Sequence, residues 1–224
     1  MKKSEKKKEP IKYNEVLKSE EKPLVAEESA LAYSVKRYSY ADYLTWTDDV
    51  MREIIDGVVY AFAAPVLKHA LIVGTFFGNT FSFIKKKKGK CKVFSAPFDV
   101  RLPKENVTDN DKIFDVVQPD ICVVCDPSKL DEAGCIGAPD LIVEVSSPST
   151  SKRDLNLKFS LYERAGVKEY WVVYPKAQAL SVFILQPDGK YDDGKTYDVR
   201  FETTKVPVKT LKGLAIDLKE LFED

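Results

Sequence analysis

The apolar run Leu141 to Val145, LIVEV, soon gives way to a segment, Leu155 to Ala165, whose apolar residues recur with a helical period. That change of period fixes a strand, a turn and a helix in succession, around which the remaining elements have to pack. Two charges contradict simple packing. Glu144 interrupts a run that reads as a strand buried on both faces, where an unpaired carboxylate costs several kcal/mol. At about 100° per residue, Leu155, Leu157, Phe159, Leu161, Tyr162 and Ala165 share one arc of the helix, and Lys158 falls near its middle. A lysine meant for solvent would sit with Asn156, Ser160 and Glu163 on the other side. Along the strand, alternate residues share a face, so Asp140, Ile142, Glu144 and Ser146 point one way and Leu141, Val143 and Val145 the other. Ser151 with Asp154 three residues on reads as a capping box after Pro148, a sharp turn that folds Lys158 back towards Glu144.

A second carboxylate stands in similar company. Val116 to Val124, VVQPDICVV, reads as a buried strand holding Pro119 and Asp120. One lysine neutralises one carboxylate, so a plain buried ion pair leaves the other uncompensated if the two strands are neighbours. A divalent cation removes the surplus, since aspartate and glutamate oxygens suit Mg²⁺ or Mn²⁺, held through one or two carboxylates plus a substrate phosphate. These parts permit phosphodiester hydrolysis, with Asp120 and Glu144 as ligands and Lys158 stabilising charge on phosphate oxygens or orienting the attacking water. A structural ion pair is the alternative for Lys158, and packing is the reading for Tyr162, Tyr170 and Trp171.

The flanking sequence adds a mixed α/β context. Residues 1–35 are rich in lysine and glutamate without sustained periodicity and read as a flexible charged tail. From 36 to 224 one domain is expected. Ser39 and Asp42 form a capping box for a short helix over SYADYLTWTDD, and Asp56-Gly57 joins Arg52–Ile55 and Val58–Phe62 in a tight hairpin. Lys68 to Ile84 reads as a helix ending at KKKKG, whose lysines suit a solvated helix end or a phosphate-backbone contact. YWVVY and LSVFIL, joined by PKAQA, read as a second hairpin. Lysine plus arginine, 35, equals aspartate plus glutamate, 35, so any polyanion site is local. No apolar stretch reaches the roughly 20 residues of a membrane helix, and no apolar segment follows MKKSEKKKEP. A cytoplasmic protein without a membrane partner is expected. In that reducing setting Cys91, Cys122, Cys125 and Cys135 are expected to be free and buried; zinc or redox use of Cys122 and Cys125 is the alternative.

VQPDICVV followed by PDLIVEVSSPSTSKRDLNLKFSLYERAGVKEYWVVYP, with REIIDGVVYAF and His69 upstream, resembles the Uma-type restriction endonucleases of the PD-(D/E)xK nuclease superfamily, over about residues 38–186. The resemblance implies a restriction-endonuclease-like fold of mixed α+β class, a central mixed β-sheet flanked by helices, with an added N-terminal β-hairpin. It implies a Mg²⁺- or Mn²⁺-dependent endonuclease acting on DNA, Asp120 and Glu144 as metal ligands, Lys158 as the catalytic lysine, and a possible homodimer. In the superfamily that lysine usually follows the glutamate by two. Here Ser146 holds the position, and the lysine comes from the helix, as it does in the Uma-type family. Glu53 and His69 match family positions that support the metal or a water, and Ser146 is a further supporting candidate. A noncatalytic nucleic-acid-binding or assembly protein that keeps the nuclease fold is the alternative.

Overall fold

The computed structural model describes residues 36–62, 65–104, 107–146 and 151–223, with the backbone alone at 151–154. The expectations for the N-terminal tail and for the Ser151–Asp154 capping box lie outside what is described.

The central sheet has six strands: β3 (Lys92–Ser95), β6 (Ile121–Val124), β9 (Leu141–Val145), β10 (Glu169–Tyr174), β11 (Ala179–Ile184) and β12 (Lys195–Asp198). Their order is β12-β11-β10-β9-β6-β3. Only β9 and β10 run parallel, connected by the long helix α3 (Ser151–Ala165), and the other pairs are antiparallel. The sheet is therefore mixed because one strand-helix-strand crossover is set among hairpins. Leu141, Val143 and Val145 point into one core with Trp171 and with Ile72 and Phe76 of helix α2 (Leu67–Lys87). Ile142 points into the opposite core with Tyr170, Val172 and the α3 residues Leu155, Leu161 and Tyr162. The two-face alternation read from LIVEV is present, and all five residues are buried.

The expected hairpin, β1 (Arg52–Ile55) and β2 (Val58–Ala61), turns at Asp56 and Gly57, both with positive φ. It forms the edge of a second six-stranded sheet, completed by β4 (Val100–Arg101), β5 (Val116–Val117), β7 (Leu130–Asp131) and β8 (Gly134–Ile136) in the order β2-β1-β5-β4-β8-β7. The two-residue strands carry too little pattern to be read from sequence. Helix α1 (Tyr40–Tyr43) has the Ser39–Asp42 capping box but is only four residues long. The C-terminal segment folds into the pair β13 (Lys205–Pro207) and β14 (Ala215–Asp217) and helix α4 (Leu218–Phe222).

Two expectations are corrected. VVQPDICVV is not one strand: β5 and β6 belong to different sheets, and Gln118, Pro119 and Asp120 bridge them. Proline lacks the N–H that a central ladder position would donate, so the chain leaves one sheet here and enters the other. Nor are all four cysteines free. Cys91 and Cys125 are joined by a disulfide, since they flank the paired residues Lys92 and Val124 on adjacent strands, a register the 34-residue separation conceals. Cys122 and Cys135 are free and buried as expected. Burial pushes the Cys135 thiol up to about 11 and raises Cys122 as well. Alkylation at about pH 8 should find no fast-reacting thiol in protein isolated without reductant, where an ordinary thiol of pKa ~8.5 would react. Two should appear on unfolding and four after reduction, as mass spectrometry would count. Among the described residues, no helix is long and apolar enough to cross a membrane.

Candidate active site

Glu144 projects from β9 towards α3, and Lys158 on that helix meets it. Lys158 Nζ donates to Glu144 Oε1 at 3.0 Å and to Glu53 Oε1 at 2.9 Å. The side chains of Lys158, Glu53 and Glu144 keep only 13%, 8% and 10% of their exposure, so these are interior ion pairs rather than surface contacts worth ~0–1 kcal/mol. Glu53 arrives from β1 in the other sheet, and its Oε1 also accepts the backbone N–H of Gln118 at 2.8 Å. The residue that bridges the two sheets thereby holds the second carboxylate against Lys158.

Asp120 lies at the mouth of β6. The β6–β9 register pairs Ile121 with Val143, and its continuation by one residue sets Asp120 opposite Glu144. Asp120 Oδ2 accepts the N–H of Val145 at 2.7 Å, which ties the carboxyl to β9. His69, in the first turn of α2, brings Nε2 to 2.9 Å from Asp120 Oδ1. The structure thus joins Glu53, Glu144 and Lys158 directly and His69 with Asp120 directly, the two groups meeting across one strand register. Ser146 donates its backbone N–H to the carbonyl of Val173 at 2.8 Å.

Tyr162, whose ring fits the core pattern of the helix, is fully buried, yet its hydroxyl donates to Glu144 Oε1 at 2.6 Å. The available signal was its place four residues after Lys158, which stacks the two on one helix face. Its ring satisfies the apolar pattern, so periodicity says nothing of the hydroxyl.

Burial pushes the Glu144 carboxyl up, to about 7; the Lys158 ammonium draws it back, and the charges of Asp120 and Glu53 push it further up. Burial would lower Lys158, but Glu144 and Glu53 more than offset this and hold it above the usual lysine range. The Asp120 hydrogen bond raises His69 despite its partial burial. Burial, then the charges of Glu144 and Glu53, raise Tyr162, which stays a donor.

Three carboxylates therefore gather about one permanent cation, and the charges of Asp120 and Glu53 add to the burial that raises Glu144. Among the described residues, no three or more His, Cys, Asp or Glu side chains are grouped to enclose a metal ion. The residues fit the other arrangement open to Mg²⁺ or Mn²⁺, in which one or two carboxylates bind and waters and substrate phosphate complete the shell.

The Uma2 family model, described as "Putative restriction endonuclease", matches residues 40–219. "Uncharacterized protein slr1290" of Synechocystis sp. is 26% identical over 162 residues, 69% of this chain and 78% of that protein. The crystal structure of "a putative nuclease belonging to DUF820" from Anabaena variabilis ATCC 29413 superposes with a TM-score of 0.64 at 19% identity, over 82% of this chain and 97% of that one. At that identity the superposition carries the fold, a restriction-endonuclease-like arrangement of mixed α+β class. Because the family model spans the site and both sheets, this chain belongs to the Uma2 restriction-endonuclease family.

Proposed function

We propose that this protein is a divalent-cation-dependent endonuclease that hydrolyses DNA phosphodiester bonds, with Asp120 and Glu144 holding Mg²⁺ or Mn²⁺. The observation that carries the proposal is the surplus of buried carboxylate about Lys158, set where β6 begins beside the end of β9. When bound, the cation would lower the pKa of water and polarise the phosphoryl group. The chain's own residues do the rest. The backbone N–H of Val145 and His69 fix Asp120. Lys158, kept charged by its two carboxylates, stabilises negative charge developing on the phosphate oxygens. Glu53 would keep that ammonium in place while Glu144 shares its charge with the cation, because Glu53 is itself anchored by Gln118. A cytoplasmic setting and a homodimer able to address both strands belong to the same reading.

Purified protein with Mg²⁺ or Mn²⁺ should cut at least one member of a panel of single-stranded, duplex and branched DNA, and chelation should stop it. No cleavage across the panel, together with no calorimetric signal for either ion, sinks the proposal. A binding or assembly protein is the second reading, favoured by the lysine bridge that already satisfies Glu53 and Glu144. It predicts DNA retention without cleavage in the same panel.

A further inference from the structure

Glu144 Oε1 accepts two hydrogen bonds, from Lys158 at 3.0 Å and from Tyr162 at 2.6 Å, whereas among the described residues Oε2 accepts none. The two donors leave the helix α3 one turn apart and converge on a single oxygen, so the carboxyl is held at one end and open at the other. Lys158 divides its hydrogen bonds between Glu144 and Glu53. Tyr162 has no second acceptor among the described residues, and its ring is locked in the core beside Tyr170 at 5.1 Å between centroids. Of the two donors the phenol is therefore the fixed one.

From this geometry we infer that Tyr162 is a positioning residue for the metal centre, dictating that Glu144 binds the cation through Oε2 alone. The inference rests on the assignment of Glu144 as a metal ligand. A carboxyl with one oxygen occupied by a rigid phenol cannot swing to offer both oxygens. It presents a single donor at a set angle, as suits an ion such as Mg²⁺ that demands near-octahedral geometry and retains several waters. A hydrogen bond to a ligand in this manner orients it and tunes its affinity.

Manganese binding, read by electron paramagnetic resonance on the full chain, tests this in the wild type, Tyr162→Phe and Tyr191→Phe. Tyr191 is the matched control: its buried hydroxyl donates to the carbonyl of Val167 and has no part in the site. Tyr162→Phe should weaken Mn²⁺ binding about 10-fold or more, and Tyr191→Phe should stay within about twofold of wild type. The Mn²⁺ concentration for half-maximal cleavage should rise in step, while kcat at saturating Mn²⁺ stays within about threefold, a split that general loss of folding does not produce. Unchanged Mn²⁺ affinity in Tyr162→Phe overturns the inference and leaves the nuclease proposal standing. No Mn²⁺ binding by the wild type overturns both. A crystal of the wild type soaked in Mn²⁺ decides the matter even if Tyr162→Phe does not fold. Single-oxygen coordination through Oε2 with the phenol still on Oε1 supports the inference, and two-oxygen coordination by Glu144 overturns it.

Discussion

Glutamine in place of Glu144 should lower metal-dependent DNA cleavage by about three powers of ten or more, with the fold retained. The loss follows from removing an anionic ligand: Lewis-acid assistance supplies several kcal/mol, and each 1.36 kcal/mol is tenfold in rate. The fold should persist because the amide has the size of the carboxyl and its oxygen still accepts from Tyr162 and Lys158. Burial opposes ionisation of Glu144, so the neutral side chain also relieves desolvation. The comparison requires cleavage rates, Mn²⁺ titration and circular dichroism on the same preparations. Cleavage at the wild-type rate by a folded Glu144→Gln variant would place the chemistry elsewhere.

Methionine in place of Lys158 should cost about 3–5 kcal/mol of stability, which for a chain of this size lowers the melting temperature by roughly 6–20 °C. Both Glu53 and Glu144 then lose their ammonium in a site nearly closed to water. The cost should depend on pH, in a direction that burial fixes. Glu144 has a folded-state pKa of about 7 against an unfolded value of 4.5, so the folded protein holds a proton that the unfolded chain has released. The corresponding stability is fully present below the unfolded pKa and is lost as pH rises through the folded one. Without Lys158 the folded pKa moves higher still. The variant should therefore lie nearest the wild type in acid and furthest from it at about pH 8. Adding Glu53→Gln to Lys158→Met should recover part of the loss. Urea unfolding at the two extremes of pH measures all three; a Lys158→Met variant within about 1 kcal/mol of wild type throughout would mean that the bridge contributes little.

Glu144 and Lys158 were legible because each breaks a period: a carboxylate in an all-apolar strand and an ammonium on an apolar helical arc have no packing explanation. Asp120 was legible as a misplaced charge but not as a boundary. The apolar residues on both sides of QPD carry the same pattern whether they form one strand or two in different sheets, and only tertiary pairing distinguishes these. Glu53 and His69 sit in locally ordinary surroundings, a strand and a helix start, and only a family resemblance pointed to them. Their partners, Lys158 at 105 residues' separation and Asp120 at 51, are set by folding alone. The strands β9 and β10 and the helix α3 between them followed from strong periods, but their parallel pairing comes from the structure, and β7 and β8 are too short to have a period. Cys91 and Cys125 show the same limit, since each reads as buried and only the β3–β6 register makes them neighbours.

The bridge at Gln118, Pro119 and Asp120 has a mechanical consequence. Within three residues the chain grips Glu53 from one sheet and sets Asp120 opposite Glu144 on the other, so both carboxylates ride on a single short rod. Any slide of the sheets past each other would change the grip of Glu53 on Lys158, while the β6–β9 register and the Val145 N–H hold Asp120 opposite Glu144. The sheet of shorter strands is thus a ruler for one contact of the site, and substitutions in its outlying strands, far from any reacting atom, become a way to tune how closely Glu53 approaches Lys158.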